Sequence, residues 1–110
     1  MPKANDIYGD ILASGRYKLR KPVKNGDEEI DEIFLPFREL TGADLLSAQE
    51  DFETLGYDTN KIPELDRKYL AFLVSKVARL PFETICALSA KDFTVVTMVA
   101  SGFLLNLDSE

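Results

Sequence analysis

Histidine is absent from the 110 residues, and cysteine occurs once, at Cys86. Without histidine the chain lacks the commonest general acid–base, the usual nitrogen ligand of zinc and every Ser–His or Cys–His pair. A single cysteine excludes an intrachain disulfide, and a thiolate metal cluster would need other chains. We therefore expect a protein that is not an enzyme and that uses no metal or other cofactor.

Long apolar runs and an excess of positive charge are also missing. No segment reaches the roughly 18 apolar residues of a membrane span, and the first 15 residues lack the apolar core of a signal peptide. The chain has 13 Lys and Arg against 19 Asp and Glu, a net charge of −6, so contact with nucleic acid would gain little from counterion release. We expect a small acidic cytosolic protein that binds neither nucleic acid nor a membrane.

What the chain does contain is an ordinary globular balance of 45% hydrophobic and 29% charged residues. At this length, one compact domain is expected. We assign residues 1–15 to a flexible N-terminal arm and residues 16–110 to the domain, with a hairpin over 16–37 and helices over 38–110. The arm has apolar residues at helical spacing, so it could order against a partner. They are Ile7, Tyr8, Ile11 and Leu12.

The hairpin prediction depends on an Asn25-Gly26-Asp27 turn signal between two apolar segments. Apolar side chains fall mainly at odd positions on both segments, among them Leu19 and Ile33. Directly opposed residues share one face of a sheet, so odd positions must pair with odd positions. This parity requires a loop of three or five residues and excludes a two-residue turn. Leu19 and Ile33 are predicted to lie on the same face.

Charge is sorted between the two strands of the hairpin. The first carries Arg16, Lys18, Arg20, Lys21 and Lys24. The second, with the turn, carries Asp27, Glu28, Glu29, Asp31 and Glu32. One interpretation is cross-strand pairing, and the other is a basic strip for an acidic partner. We favour pairing, because the neutralising acids lie on the adjacent strand.

Three main helices and one short helix are predicted after the hairpin, which makes the fold α+β and mostly helical. The first main helix spans 42–55 and opens with Thr41-x-x-Asp44, the form of a capping box. Its apolar residues make one stripe facing the core. They are Leu45, Ala48, Phe52 and Leu55.

The second main helix is predicted over 64–79, with one continuous apolar face. Phe72 falls among its polar residues and is therefore a candidate partner contact. Pro81 ends this helix and opens the short one. There Cys86 is expected to be a small core residue.

The third main helix, over 89–107, opens with Ser89-x-x-Asp92, so Asp92 is predicted to be a cap and a dipole partner rather than a catalytic acid. From residue 93 to 107 there is no charge. One apolar stripe can fill the domain core, and Thr94, Thr97 and Ser101 make a polar sector. A second stripe lies nearly opposite the first and consists of Val95, Met98, Val99, Gly102 and Leu105. Either this is simply the central helix of the domain, or the second stripe meets another chain, such as a second copy.

The order of these motifs carries a family resemblance. The pattern runs through Leu19-x-x-Pro22-Val23, Gly26, Thr41-x-x-Asp44-Leu45, YLAFLVSKVARLP, Ile85-x-x-Leu88-Ser89-x-x-Asp92 and Phe103-Leu104. In this order it resembles the tail assembly chaperones of Mu-like and related long-tailed phages, the tail protein E group. The resemblance covers about residues 17–105.

This resemblance implies a non-enzymatic protein that acts in the host bacterial cytoplasm during tail morphogenesis. Such proteins bind the long apolar tape-measure protein, help to recruit tail-tube subunits and are absent from the mature virion. The alternative is a small acidic adaptor or inhibitor that mimics nucleic acid and binds a basic partner. That alternative needs carboxylates along one exposed face, whereas the acidic residues here are dispersed along the chain.

Overall fold

The computed structural model describes residues 4–56 and 66–105. In order, the described elements are α1 (Ala4–Ser14), β1 (Arg16–Asn25), β2 (Glu28–Phe34), a 3-10 turn (Phe37–Glu39), α2 (Gly42–Thr54), α3 (Arg67–Ala78), α4 (Phe82–Cys86) and α5 (Ala90–Leu105). The two strands form an antiparallel hairpin. An α+β, mostly helical fold with an N-terminal hairpin is therefore confirmed.

Residues 4–14 form helix α1 instead of the flexible arm expected over residues 1–15. Ile11 and Leu12 are buried in the main core, and α1 packs against α5. The helix ends at Gly15, which has a φ of +72° and donates its N–H to the carbonyl of Ile11 at 2.7 Å. Glycine adopts this left-handed conformation without the steric cost of a side chain. Two of the four apolar residues at helical spacing, Ile11 and Leu12, thus belong to the chain's own core.

The hairpin loop has two residues, Gly26 and Asp27, so the prediction of a three- or five-residue loop was wrong. Asn25 faces Glu28 across the strand ends, and Val23 faces Ile30. Gly26 has a φ of +67°, as the first residue of a tight hairpin turn requires.

A two-residue loop makes odd positions of β1 face even positions of β2, and a β-bulge in β1 restores odd–odd pairing further from the loop. Tyr17 faces Ile33, an odd–odd pair, and the register shifts between Lys18 and Val23. Over this shift four residues of β1, numbers 19–22, face only Asp31 of β2. Leu19 and Ile33 are consequently buried in the same core, as predicted. The parity rule was satisfied by extra residues inside one strand rather than at the turn.

Helix α3 runs through the centre of the helical part. Its amino end is capped by Asp66, whose side chain accepts the N–H groups of Lys68 and Tyr69, so α3 begins at Arg67 rather than at 64. The predicted apolar face is buried, and α2, α4 and α5 all contact this helix. Ser75 is also buried and donates its hydroxyl to the carbonyl of Phe72 at 2.6 Å, because a hydroxyl bonded to its own helix can enter a core.

Two apolar side chains expected inside lie outside. Cys86, at the end of α4, is exposed, because its neighbours Thr84 and Ile85 are the residues that α4 buries. Leu55 is 62% exposed. Helix α2 ends at Thr54, and Leu55 occupies the cap position after the last turn, so it leaves the stripe that Ala48 and Phe52 continue into the core.

Candidate binding surface

Helix α5 contributes much of the core and packs against α1, α3 and β1. Val96, Val99 and Ala100 are fully buried. The polar sector expected on this helix is not exposed as a whole, because Thr97 and Ser101 are buried too. The hydroxyl of Thr97 donates to the carbonyl of Phe93 at 2.8 Å, which satisfies the hydroxyl inside the helix.

The second apolar stripe predicted on α5 is divided by this packing. Val99 is fully buried, whereas Met98 is 48% and Leu105 is 41% exposed. Val95 and Gly102 are half-buried, and a side chain built at Gly102 would meet no atom within 4 Å. Met98, Gly102 and Leu105 follow Val95 by three, seven and ten residues. This spacing puts all four residues on one face of the helix. We call this surface the α5 strip, and it consists of Val95, Met98, Gly102 and Leu105.

Phe72, the other candidate contact, belongs to the interior. It is 5% exposed, and its ring centroid lies 5.4 Å from that of Phe52 and 6.1 Å from that of Phe82. The ammonium of Lys76 lies 5.4 Å from the Phe72 ring centroid and also pairs with Asp51 at 2.9 Å. Helix α2 therefore covers the side of α3 that the helical periodicity assigned to solvent.

Two other exposed apolar side chains, Phe34 and Leu46, have charged neighbours. The Phe34 ring is 53% exposed and has the Arg16 guanidinium 5.2 Å from its centroid. Leu46 is 70% exposed and shares the outer surface of α2 with Glu50 and Glu53. The segment that carries the α5 strip, residues 93–105, has no charged residue of its own.

A buried carboxylate, Asp92, links the amino end of α5 to the hairpin through hydrogen bonds. Asp92 is fully buried, and its side chain accepts the Tyr17 hydroxyl at 2.7 Å. It also accepts the backbone N–H groups of Arg20, at 3.1 Å to each oxygen, and of Lys21, at 3.2 Å. These two N–H groups belong to the β-bulge, where the ladder offers no partner. The Asp92 carboxylate thus accepts hydrogen bonds from the two backbone N–H groups that the register shift leaves without a partner in the ladder.

The predicted cap at Ser89 and Asp92 is therefore only half of a capping box. The Ser89 hydroxyl accepts the N–H of Asp92 at 3.2 Å, but the Asp92 carboxylate turns to the hairpin. The box at the start of α2 has both of its bonds. Thr41 accepts the N–H of Asp44 at 3.2 Å, and Asp44 accepts the N–H of Thr41 at 2.9 Å.

The pKa values of Asp92 and Tyr17 are shifted in opposite directions. Burial by itself raises the pKa of Asp92, but the Tyr17 hydroxyl, the two bulge N–H groups and the Ser89 hydroxyl outweigh burial and lower it below 3.8. The pKa of Tyr17 is raised to about 12 by burial, by its hydrogen bond to Asp92 and by the charge of that carboxylate. The pair is therefore a carboxylate and a neutral phenol at neutral pH.

Over residues 4–56 and 66–105, no three Cys, Asp or Glu side chains are grouped to hold a metal ion. No helix in the same ranges has the length and apolar character needed to cross a membrane.

A family model described as "Phage tail assembly chaperone proteins, E, or 41 or 14" matches residues 16–105. The chain belongs to this family. The match begins with β1 and ends with the last residue of α5, so it includes the hairpin, Asp92 and the whole α5 strip of the chaperone, while α1 precedes it. No curated protein and no solved structure matches the chain.

Proposed function

We propose that this tail assembly chaperone binds the tape-measure protein through the α5 strip and helps to recruit tail-tube subunits. It does so in the host bacterial cytoplasm and is left out of the mature virion. The observation that carries the proposal is the partly exposed, uncharged strip on a member of this family. A chaperone that keeps an apolar client dispersed needs such a surface on an otherwise charged molecule.

The strip has the physical properties of a client surface. At about 25 cal/mol per Å2, burying a few hundred Å2 of apolar surface contributes several kcal/mol before the costs of association. Met98 can adapt to irregular partners, and the open space over Gly102 allows a second backbone to come close. The net charge of −6 helps to keep the complex dispersed.

A second copy of the chain is the other occupant that fits the strip, which would give a homo-oligomer through the helix predicted over 89–107. The two occupants differ in when the strip is covered. A homo-oligomer covers it in the absence of client, whereas client binding leaves the free chaperone monomeric.

The test is co-expression of the tape-measure protein with three forms of the chaperone. These are the wild type, Met98→Lys/Leu105→Lys, and a matched control, Leu46→Lys/Leu55→Lys, which adds the same charge at two exposed leucines of the α2 region. The wild type and the control should keep the tape-measure protein soluble and co-purify with it, and the strip variant should lose both. Equal solubility with all three forms would refute the proposal. Light scattering of each purified form separates client binding from homo-oligomer formation.

A further inference from the structure

The amino end of the α5 strip carries three cations, Arg20, Lys21 and Lys91, and all three residues are exposed. The backbone N–H groups of Arg20 and Lys21 both donate to the Asp92 carboxylate, and Lys91 is the residue before Asp92. The backbones of all three residues therefore lie close to the Asp92 carboxylate. We call these residues the basic cluster.

Two of the other three cations of β1 face a glutamate across the ladder, which neither Arg20 nor Lys21 does. Lys18 faces Glu32 across the ladder, and Lys24 faces Glu29. In the bulge this one-for-one pairing ends, because four residues of β1 face Asp31 alone. Opposite charges thus face each other at Lys18 and at Lys24, whereas Arg16 faces Phe34. The one-for-one register does not extend to Arg20 and Lys21. The bulge leaves a local excess of positive charge on a chain whose net charge is −6.

The basic cluster is continuous with the α5 strip. Lys91 precedes Val95 by four residues and Met98 by seven, so it lies on the same face of the helix. From Val95 to Leu105 the strip is about 15 Å long at 1.5 Å per residue. A partner segment lying along this face meets apolar side chains over most of its length and cations at one end only.

We propose that the strip and the basic cluster form one two-part site for a helical partner segment that is uncharged over about ten residues and carries Asp or Glu at one end. The carboxylates lie over the amino end of α5, next to Lys21 and Lys91, and this fixes the direction of the segment on the strip. The proposal rests on the proposed function, since the segment belongs to the tape-measure protein. The charged end makes part of the affinity depend on salt, whereas the apolar part does not.

The experiment uses 20-residue overlapping peptides that cover the tape-measure protein, with binding measured by fluorescence anisotropy. Four forms of the full chaperone are compared: wild type, Lys21→Gln/Lys91→Gln, the control Lys18→Gln/Lys24→Gln, and Met98→Lys/Leu105→Lys. Both glutamine variants remove two positive charges, but the control residues face glutamates. Arg20 stays unchanged, because its positive charge also acts on the pKa of the Tyr17 hydroxyl.

Peptides that bind the wild type should combine an uncharged stretch with carboxylates at one end. Lys21→Gln/Lys91→Gln should bind them about fivefold more weakly, given the size of exposed charge contacts, and the control should bind them as the wild type does. Replacing the end carboxylates of the peptide by amides should give the same loss. Unchanged binding by Lys21→Gln/Lys91→Gln, with binding lost in Met98→Lys/Leu105→Lys, would overturn the two-part site and leave the proposed function standing. If no peptide binds even the wild type, the proposed function fails with it.

Discussion

The link between Asp92 and the hairpin makes the sharpest prediction for stability. Replacing Asp92 by Ala leaves three donors without an acceptor, the Tyr17 hydroxyl and the N–H groups of Arg20 and Lys21. Each buried donor left unsatisfied costs about 1–3 kcal/mol. Water reaches part of the bulge once the carboxylate is gone, so we expect the free energy of unfolding to fall by about 3–5 kcal/mol. Small domains have only about 5–15 kcal/mol in total.

Urea unfolding followed by circular dichroism at neutral pH measures this loss. The matched control is Asp44→Ala, which removes an exposed carboxylate that also accepts a backbone N–H and should cost about 1 kcal/mol. Asp92→Asn keeps the shape but directs an amide N–H toward one of the donors, and it should fall between the two. A loss below about 1 kcal/mol in Asp92→Ala would refute the view that this carboxylate holds the bulge.

The hydrogen bonds of Asp92 should also make the free energy of unfolding depend on pH in the acidic range. The pKa of Asp92 is lower in the folded chain than its ordinary value of 3.8. The folded state therefore binds this proton less tightly than the unfolded state does, and the stability from Asp92 is present above about pH 4 and is lost as pH falls through the lower folded value. The difference in stability between the wild type and Asp92→Asn should shrink over that acidic range.

Three further predictions follow from the described contacts. Because the pKa of Tyr17 is raised to about 12, the stability that it supplies should be complete below about pH 10 and lost as pH rises toward 12, and Tyr17→Phe should lack this loss in alkaline urea titrations. Phe72→Ala opens a cavity among Phe52, Tyr69 and Phe82, so it should lower the free energy of unfolding by about 3 kcal/mol while the folded fraction still binds the tape-measure protein. The exposed thiol of Cys86 should react with a thiol reagent as fast in the native chaperone as in a peptide, and Cys86→Ser should change stability by less than about 0.5 kcal/mol.

Local patterns predicted most of the fold. The turn signal, the capping box at Thr41 and the apolar face of α3 all indicated elements that the structure contains. Each of these signals depends on residues a few positions apart, so the sequence alone is enough to recognise it. The sequence shows apolar residues at helical spacing in α1, but it does not show what they pack against. Their partner, helix α5, lies some 80 residues further along the chain, so α1 was not predicted as part of the fold.

Long-range contacts account for the errors at the candidate site. The link from Asp92 to the bulge joins residues more than 70 positions apart, and the Ser89-x-x-Asp92 pattern offered a simpler local role for the same carboxylate. Phe72 was assigned to solvent from the periodicity of one helix, whereas the position of α2 decides its burial.

The central claim is that the α5 strip is the surface that meets the tape-measure protein. A photo-cross-linking amino acid placed at Met98, at Leu105 or at the control position Leu46, during co-expression with the tape-measure protein, measures this contact directly. All three side chains are at least 41% exposed, so the probe is accommodated at each position. We predict cross-links to the tape-measure protein from Met98 and Leu105 and none from Leu46. Cross-links from Leu46 alone would contradict the account.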